Sequence, residues 1–342
     1  MATVAPGEDR RSPAVPAVRS ARSLRAYALA LVVVVAVLPL LPFVNNYILA
    51  VIVRALIFIA LGQAWNVVAG IGGQLSLGHG VFLGLGCYTT GLLFNAFGIS
   101  PWLGAWGGVA VSVVVALVMG VMTLRMRGLF FALATVAVSL AFDELAKGYV
   151  GLTGGDNGLS LHFLGNSLLA AQWRTPQPFV YAGLVFVIGY YGITRLILGS
   201  QLGLELRAVR DDETAAAAAG VRVFRTKVVG FVISAAMTAL AGALYMQFYQ
   251  SIDPETAFGL SQAIQLQLPA LIGGLGTGSG PIIGGAVMTL LAEITNWGST
   301  KLGLTGVDVL VYGLMLLVVI LRAPTGIAGL LQKPQGDAGR RR

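Results

Sequence analysis

Charged side chains are scarce in this chain, 11 % of 342 residues, and they gather in a few places. Asp143, Glu144 and Lys147 form one group. Neighbouring carboxylates can do acid–base work or couple an ion, but Asp143 and Lys147 are four apart and can neutralise each other on a helix. Arg210, Asp211, Asp212 and Glu213 are consecutive and run straight into Ala215–Ala219 and Gly220. The remaining reactive types are isolated. Cys87 stands alone, which excludes an intramolecular disulfide and a cysteine metal cluster. His79 and His162 lack the partners a metal site needs, and His79 is expected to bond backbone. No Ser-His-Asp or Cys-His arrangement occurs in a plausible setting, so the chain is expected to perform no covalent chemistry and to hold no cofactor.

The elements that carry these groups follow from composition. With 56 % hydrophobic residues and mean hydropathy +0.83, the chain departs from soluble domains, which are about 25 % charged and 45–50 % apolar. Apolar runs of about 20 residues recur, the length of a membrane-crossing helix. They fall at about 26–44, 47–69, 75–97, 102–124, 129–150, 178–198, 226–249, 260–275, 280–297 and 305–322. The expected fold is an all-α integral membrane protein with about ten transmembrane helices, some short or broken. The eighth run is polar on one side, through Gln262, Gln265 and Gln267, but parity favours keeping it. Ten spans with the N-terminus inside place 18 of the 22 basic residues on the cytoplasmic side. The net charge of +8 then reflects loop bias, not nucleic-acid binding. The chain divides into a basic arm (1–25), a membrane domain (26–325) and a basic tail (326–342), with both termini cytoplasmic. Five spans followed by five would suit an inverted repeat.

Within those elements the 46 glycines concentrate in two clusters, GIGGQLSLGHGVFLGLG (70–86) and GGLGTGSGPIIGG (273–285). Gly80 and Gly84, like Gly280 and Gly284, share a helix face and permit close approach of another backbone. The clusters also permit broken helices, whose freed backbone groups must face protein or a cavity. Gln74 and Ser76 in the first, and Gly274 and Gly276 in the second, are candidates for packing or for lining a pathway, as is Glu144 at the outer vestibule. Neither cluster matches G-x-x-x-x-G-K-[ST] or G-x-G-x-x-G, and none of the four lysines follows one. If ATP drives this protein, another chain binds it.

The charge cluster itself lies in the long inner loop, about 199–225. Asp211 or Asp212 can cap a helix, the alanines favour it and Gly220 can stop it. The expectation is two to three turns, ~12–15 Å, along the cytoplasmic surface. Small alanine side chains would let a partner approach closely, and flanking charges would orient it. The polar segments 151–177 and 250–260 fall outside.

Four stretches then follow in order: GQLSLGHGVFLGLGCYTTGLL (73–93), LTGGDNGL (152–159), GLELRAVRDDETAAAAAGVRVFRTKVVGFVISAAMTALAGALY (203–245) and LPALIGGLGTGSGPIIGGAV (268–287). They resemble the permease family of branched-chain amino-acid ABC importers, in its LivM-like branch, over roughly residues 45–325. The resemblance implies a bacterial inner-membrane permease that moves aliphatic amino acids inward. It implies four kinds of partner: membrane lipid, a second permease subunit in a heterodimer, two ATP-binding cassette subunits and an extracytoplasmic substrate-binding protein. It also implies that Glu213–Gly220 is a cytoplasmic coupling helix, with Arg210, Asp211, Asp212, Glu213, Ala216 and Gly220 as ATPase-coupling residues. The spacing from Glu213 to Gly220 is seven where the wider importer signature has six, and no I-x-L-P follows. A urea or short-amide permease, and an ion-coupled carrier using Asp143 and Glu144, are the rival readings.

Overall fold

A computed structural model describes residues 35–41 and 44–302, with a few further positions up to 327. The arm 1–25, most of the first expected span, nearly all of the tenth and the tail lie outside the described residues. The chain separates at Phe43 into two compact units: the first holds a 3-10 turn at Leu38–Leu40, and the second, Val44–Arg342, holds the helices that follow.

The described residues are mostly helical. Helix α1 (Asn46–Asn66) starts on the Asn45 side chain, which accepts from the Ile48 amide at 2.9 Å, and continues as a π-helical turn, Val67–Ile71. Helix α2 (Gly80–Phe97) ends on left-handed Gly98, and α3 (Pro101–Thr123) opens with proline at its first position, where the missing N–H costs nothing. Next come α4 (Leu129–Gly148) and α5 (Gln177–Gly199), then the short pair α6 (Gln201–Asp211) and α7 (Glu213–Ala218). Helix α8 (Val223–Tyr249) is the longest, followed by α9 (Pro254–Phe258), α10 (Leu260–Gly273) and α11 (Gly280–Leu302).

Six helices among the described residues are long and apolar enough to cross a membrane: α1 with its π-turn, α2, α3, α4, α5 and α8. Two departures from the expected spans have clear causes. The third begins at Gly80 instead of 75, because residues 72–79 leave helical geometry after Gly73 takes φ +70°. The eighth, α10, has only 14 residues, ends at Gly274 (φ +124°), and is not among the six; the ninth, α11, is not among them either.

Helices α1 and α8 form the centre. Two thirds of their most apolar window is buried, against one third for α3, α4 and α5. Their sequences are apolar all round, as a buried helix requires. Helix α8 packs on α2 and α3, while α1 packs on α5, α10 and α11. The approach of α2, α3 and α8 is backbone to backbone. A Cβ on Gly86 would strike the Ala239 carbonyl, one on Gly242 would lie 2.5 Å from the Leu83 carbonyl, and one on Gly108 would lie 3.1 Å from Gly86 Cα. At the end away from α6 and α7, the two polar segments pair. Strands β1 (Leu159–Ser160) and β2 (Ser251–Ile252) run antiparallel, and the Leu161 amide bonds the Gln250 carbonyl at 2.8 Å.

Candidate functional site

The residues around 199–220 build two helices where the sequence suggests one. Ser200 caps α6, accepting from the Gly203 amide at 3.3 Å, and Leu206 and Val209 bury the apolar side of α6. Leu206 lies over Gly72 and Gly230, which have no side chains to obstruct it. Arg207 donates to the Leu198 carbonyl at 3.0 Å, placing a cation on the negative end of α5.

Asp212 then breaks the chain and starts α7. Its Oδ1 accepts from the amides of Thr214 (2.7 Å) and Ala215 (3.0 Å). The Ala215 amide first, and the Thr214 amide second, hold the Asp212 carboxyl below the usual carboxylate range. The cap is thus complete above the ordinary carboxylate pKa and is lost as pH falls through the lowered one. Asp211 is not the cap. It ends α6 and pairs with Arg210 at 3.2 Å. Gly220, at φ +87°, terminates α7: its amide bonds Ala217 and the Val221 amide bonds Ala216. With six residues, α7 is about 9 Å long, shorter than the sequence suggests.

Glu213 faces inward. It is clamped between Lys227 on α8 and Arg127 before α4, the latter at 3.2 Å. Lys227 is 2 % exposed, so Glu213 is the partner that makes its burial tolerable. Ala216 is buried beside it, while Thr214, Ala215, Ala217, Ala218 and Ala219 are exposed. The result is a ridge of small side chains fastened from beneath by ion pairs.

The two glycine clusters meet each other directly behind this ridge. Asn66, fully buried, accepts from the Gly276 amide at 2.8 Å and donates to the Thr277 carbonyl at 2.9 Å. Gly70 and Gly276 are in such close backbone contact that a Cβ on Gly70 would strike the Gly276 nitrogen. Arg210 reaches across from α6 and donates to the Gly70 carbonyl at 3.0 Å. Gly274, at φ +124°, turns the chain out of α10 into this loop.

Gln74 and Ser76 are buried. The Gln74 side chain makes a long bond, 3.4 Å, to the Gly72 carbonyl. Ser76 belongs to a closed network around His79, which bonds side chains and not the backbone. The Ser234 hydroxyl donates to the Ala64 carbonyl (2.7 Å), so Ser234 Oγ accepts from His79 Nε2 (2.8 Å). His79 Nδ1 is left to accept from the Ser76 hydroxyl (2.9 Å), and Trp65 Nε1 donates to the Ser76 carbonyl (2.7 Å). This arrangement places a ring proton on Nε2. Gly80 and Gly84 accommodate α9: Ala257 and Phe258 occupy the space, with Ser139 of α4 also beside Gly80, and the Phe258 ring stacks on Tyr88. Gly280 and Gly284 do meet the helix α10 terminus, at Gly274 and at Pro269–Gly273.

At the opposite end Asp143 is buried and pairs with Lys147 at 2.7 Å, and Lys147 lies 3.8 Å from Glu255. Glu144 points away, on the exposed face of α4. Arg54 pairs with Glu293 at 3.5 Å, and Glu293 also accepts from the Tyr47 hydroxyl. Among the described residues no group of histidine, cysteine, aspartate or glutamate could hold a metal. Sequence reasoning missed Asn66, Trp65, Ser234 and Glu293. Polar Asn66, Ser234 and Glu293 within apolar runs were the available signal.

The family model described as branched-chain amino acid transport system / permease component matches residues 47–320. The high-affinity branched-chain amino acid transport system permease protein LivM of Salmonella typhimurium is 29 % identical over 300 residues, 80 % of this chain and 68 % of that protein. LivH of Escherichia coli K12, with the same descriptive name, is 28 % identical over 291 residues, covering 79 % and 90 %. BraD of Pseudomonas aeruginosa is 33 % identical over 149 residues, 43 % of this chain and 47 % of that one. No solved structure matches significantly. With four fifths of its length inside the family model, the chain belongs to the branched-chain amino acid transport system permease family.

Proposed function

We propose that this chain is the membrane-spanning permease subunit of an ATP-driven importer for branched-chain, aliphatic amino acids. The observation that carries the reading is the family match together with α7, a capped ridge of exposed alanines on a base of ion pairs. A ridge built so is stiff and narrow, suited to sit in a socket of an ATPase subunit that supplies the hydrolysis this chain has no motif for. Ala215, Ala217 and Ala218 would make the contact, with Asp212, Glu213, Ala216 and Gly220 shaping and holding the helix. The partners are a second permease subunit, two ATP-binding cassette subunits and an extracytoplasmic binding protein. The positive-inside count supports ten spans in a bacterial inner membrane, with α6, α7 and both termini cytoplasmic. The junction of the glycine loops, with Gly70, Gly274 and Gly276, would be the inner end of the pathway.

The test is gentle purification of the tagged chain from its own membranes, with mass spectrometry of what accompanies it and uptake measured after reconstitution. A second permease and ATP-binding subunits, with ATP-dependent leucine uptake, are expected. Recovery of the chain alone in a state that still transports would overturn the reading.

A further inference from the structure

The π-turn at the end of α1 leaves a carbonyl to account for. The carbonyls of Val67, Val68 and Ala69 take the amides of Gly72, Gln74 and Gly73. The next one, of Gly70, takes the guanidinium of Arg210, which comes from a cytoplasmic helix and not from the turn. Three glycines surround that contact. A Cβ on Gly73 would lie 2.9 Å from Arg210 Cβ, and one on Gly276 would lie 3.1 Å from Arg210 Nη1 and 2.8 Å from the Gly70 carbonyl. Gly73 and Gly276 have φ +70° and +73°. Arg210 therefore rests on the point where the two helix breaks touch, and it is two residues from the cap of α7.

We propose that Arg210 is a positioning residue that transmits displacement of the docking helix to this junction; the proposal rests on the docking reading of α7. With α6 and α7 placed as they are, the guanidinium completes the Gly70 carbonyl and holds residues 70–73 against Gly276. Glu213 ties the same helix pair to α8 through Lys227. A partner that rocks α7 about that clamp moves Arg210 relative to Gly70. The bond to Gly70 is then surrendered, and the turn is free to part from the second loop. The bond is a donor–acceptor contact, so a donor at position 210 matters, and the aliphatic stem over Gly73 alone does not suffice.

The experiment uses the full complex purified from its membranes, in wild type, Arg210→Met and Arg210→Lys. Methionine keeps the stem without a donor; lysine keeps a donor. Two quantities are read: leucine taken up per ATP hydrolysed, and hydrogen exchange of the amides in 72–74. For Arg210→Met the ratio is expected to fall about tenfold and exchange to rise by a similar factor, the size of a typical coupling. Arg210→Lys is expected to restore both to within about twofold. Exchange in the centre of α2 serves as the check on folding; if Arg210→Met does not fold, Arg210→Gln, with a shorter donor, is expected to fall between wild type and full loss. Unchanged exchange, or changed exchange with a wild-type ratio, overturns the proposal. A complex that hydrolyses no ATP sinks the docking reading instead, while the exchange arm still reports on the Arg210–Gly70 contact.

Discussion

Asn66 and Gly276 are 210 residues apart in sequence and joined by one 2.8 Å hydrogen bond at the place where both glycine loops turn. The Asn66 side chain accepts from the Gly276 amide and donates through Nδ2 to the Thr277 carbonyl, so one buried side chain satisfies a donor and an acceptor of the second loop. Asn66→Ala would take from the Gly276 amide and the Thr277 carbonyl their partner at a half-buried junction. A loss of about 1–3 kcal/mol is expected, visible as a lowered thermal midpoint in detergent. A midpoint equal to wild type would mean the loops hold together without the staple.

Gly84 and Phe258 make a second pair that a double-mutant cycle can isolate. Gly84→Ala has to displace a ring already stacked on Tyr88 and is expected to cost about 1–3 kcal/mol. Adding Phe258→Leu should recover part of that loss, because the obstruction is a side chain. Gly86→Ala should gain nothing from the same partner, since its obstacle is the Ala239 backbone. Equal behaviour of the two glycines in the thermal assay would refute the distinction.

Much of this architecture could be read from residue types. The run at 102–124 became α3 at Pro101–Thr123 and the run at 178–198 became α5 at Gln177–Gly199, because hydropathy and the proline and glycine at their ends act locally. The Asp143–Lys147 pair follows from helical spacing alone. Asp212 and Gly220 also did locally what their chemistry suggests. Other features depend on distant partners. Whether residues 72–79 continue a helix is decided by Arg210, Leu206 and Thr135, none of them nearby in sequence. The inward turn of Glu213 depends on Lys227, and His79 chooses Ser234 over backbone because α8 brings that hydroxyl to it. Helix α6 is not legible in the sequence, because Gly203 and its four charged residues read as loop when taken singly.

Glu213 and Lys227 give the third prediction. Removing the carboxylate by Glu213→Ala strands an ammonium that is 2 % exposed, and a loss of about 3–5 kcal/mol is expected. Lys227→Met combined with Glu213→Gln removes both charges at similar volume and should melt close to wild type. A double variant no better than Glu213→Ala would show that the charges themselves, and not the avoidance of an orphan, hold α7 in place.

The contact of α2, α3 and α8 through Gly86, Gly108 and Gly242 has a mechanical corollary. Helices separated by side chains can slide by trading rotamers, but helices that touch carbonyl to Cα have no such lubricant. The three helices are joined as one unit. A permease that opened first to one side of the bilayer and then to the other would carry this trio as one body and take up the movement in helices joined through side chains.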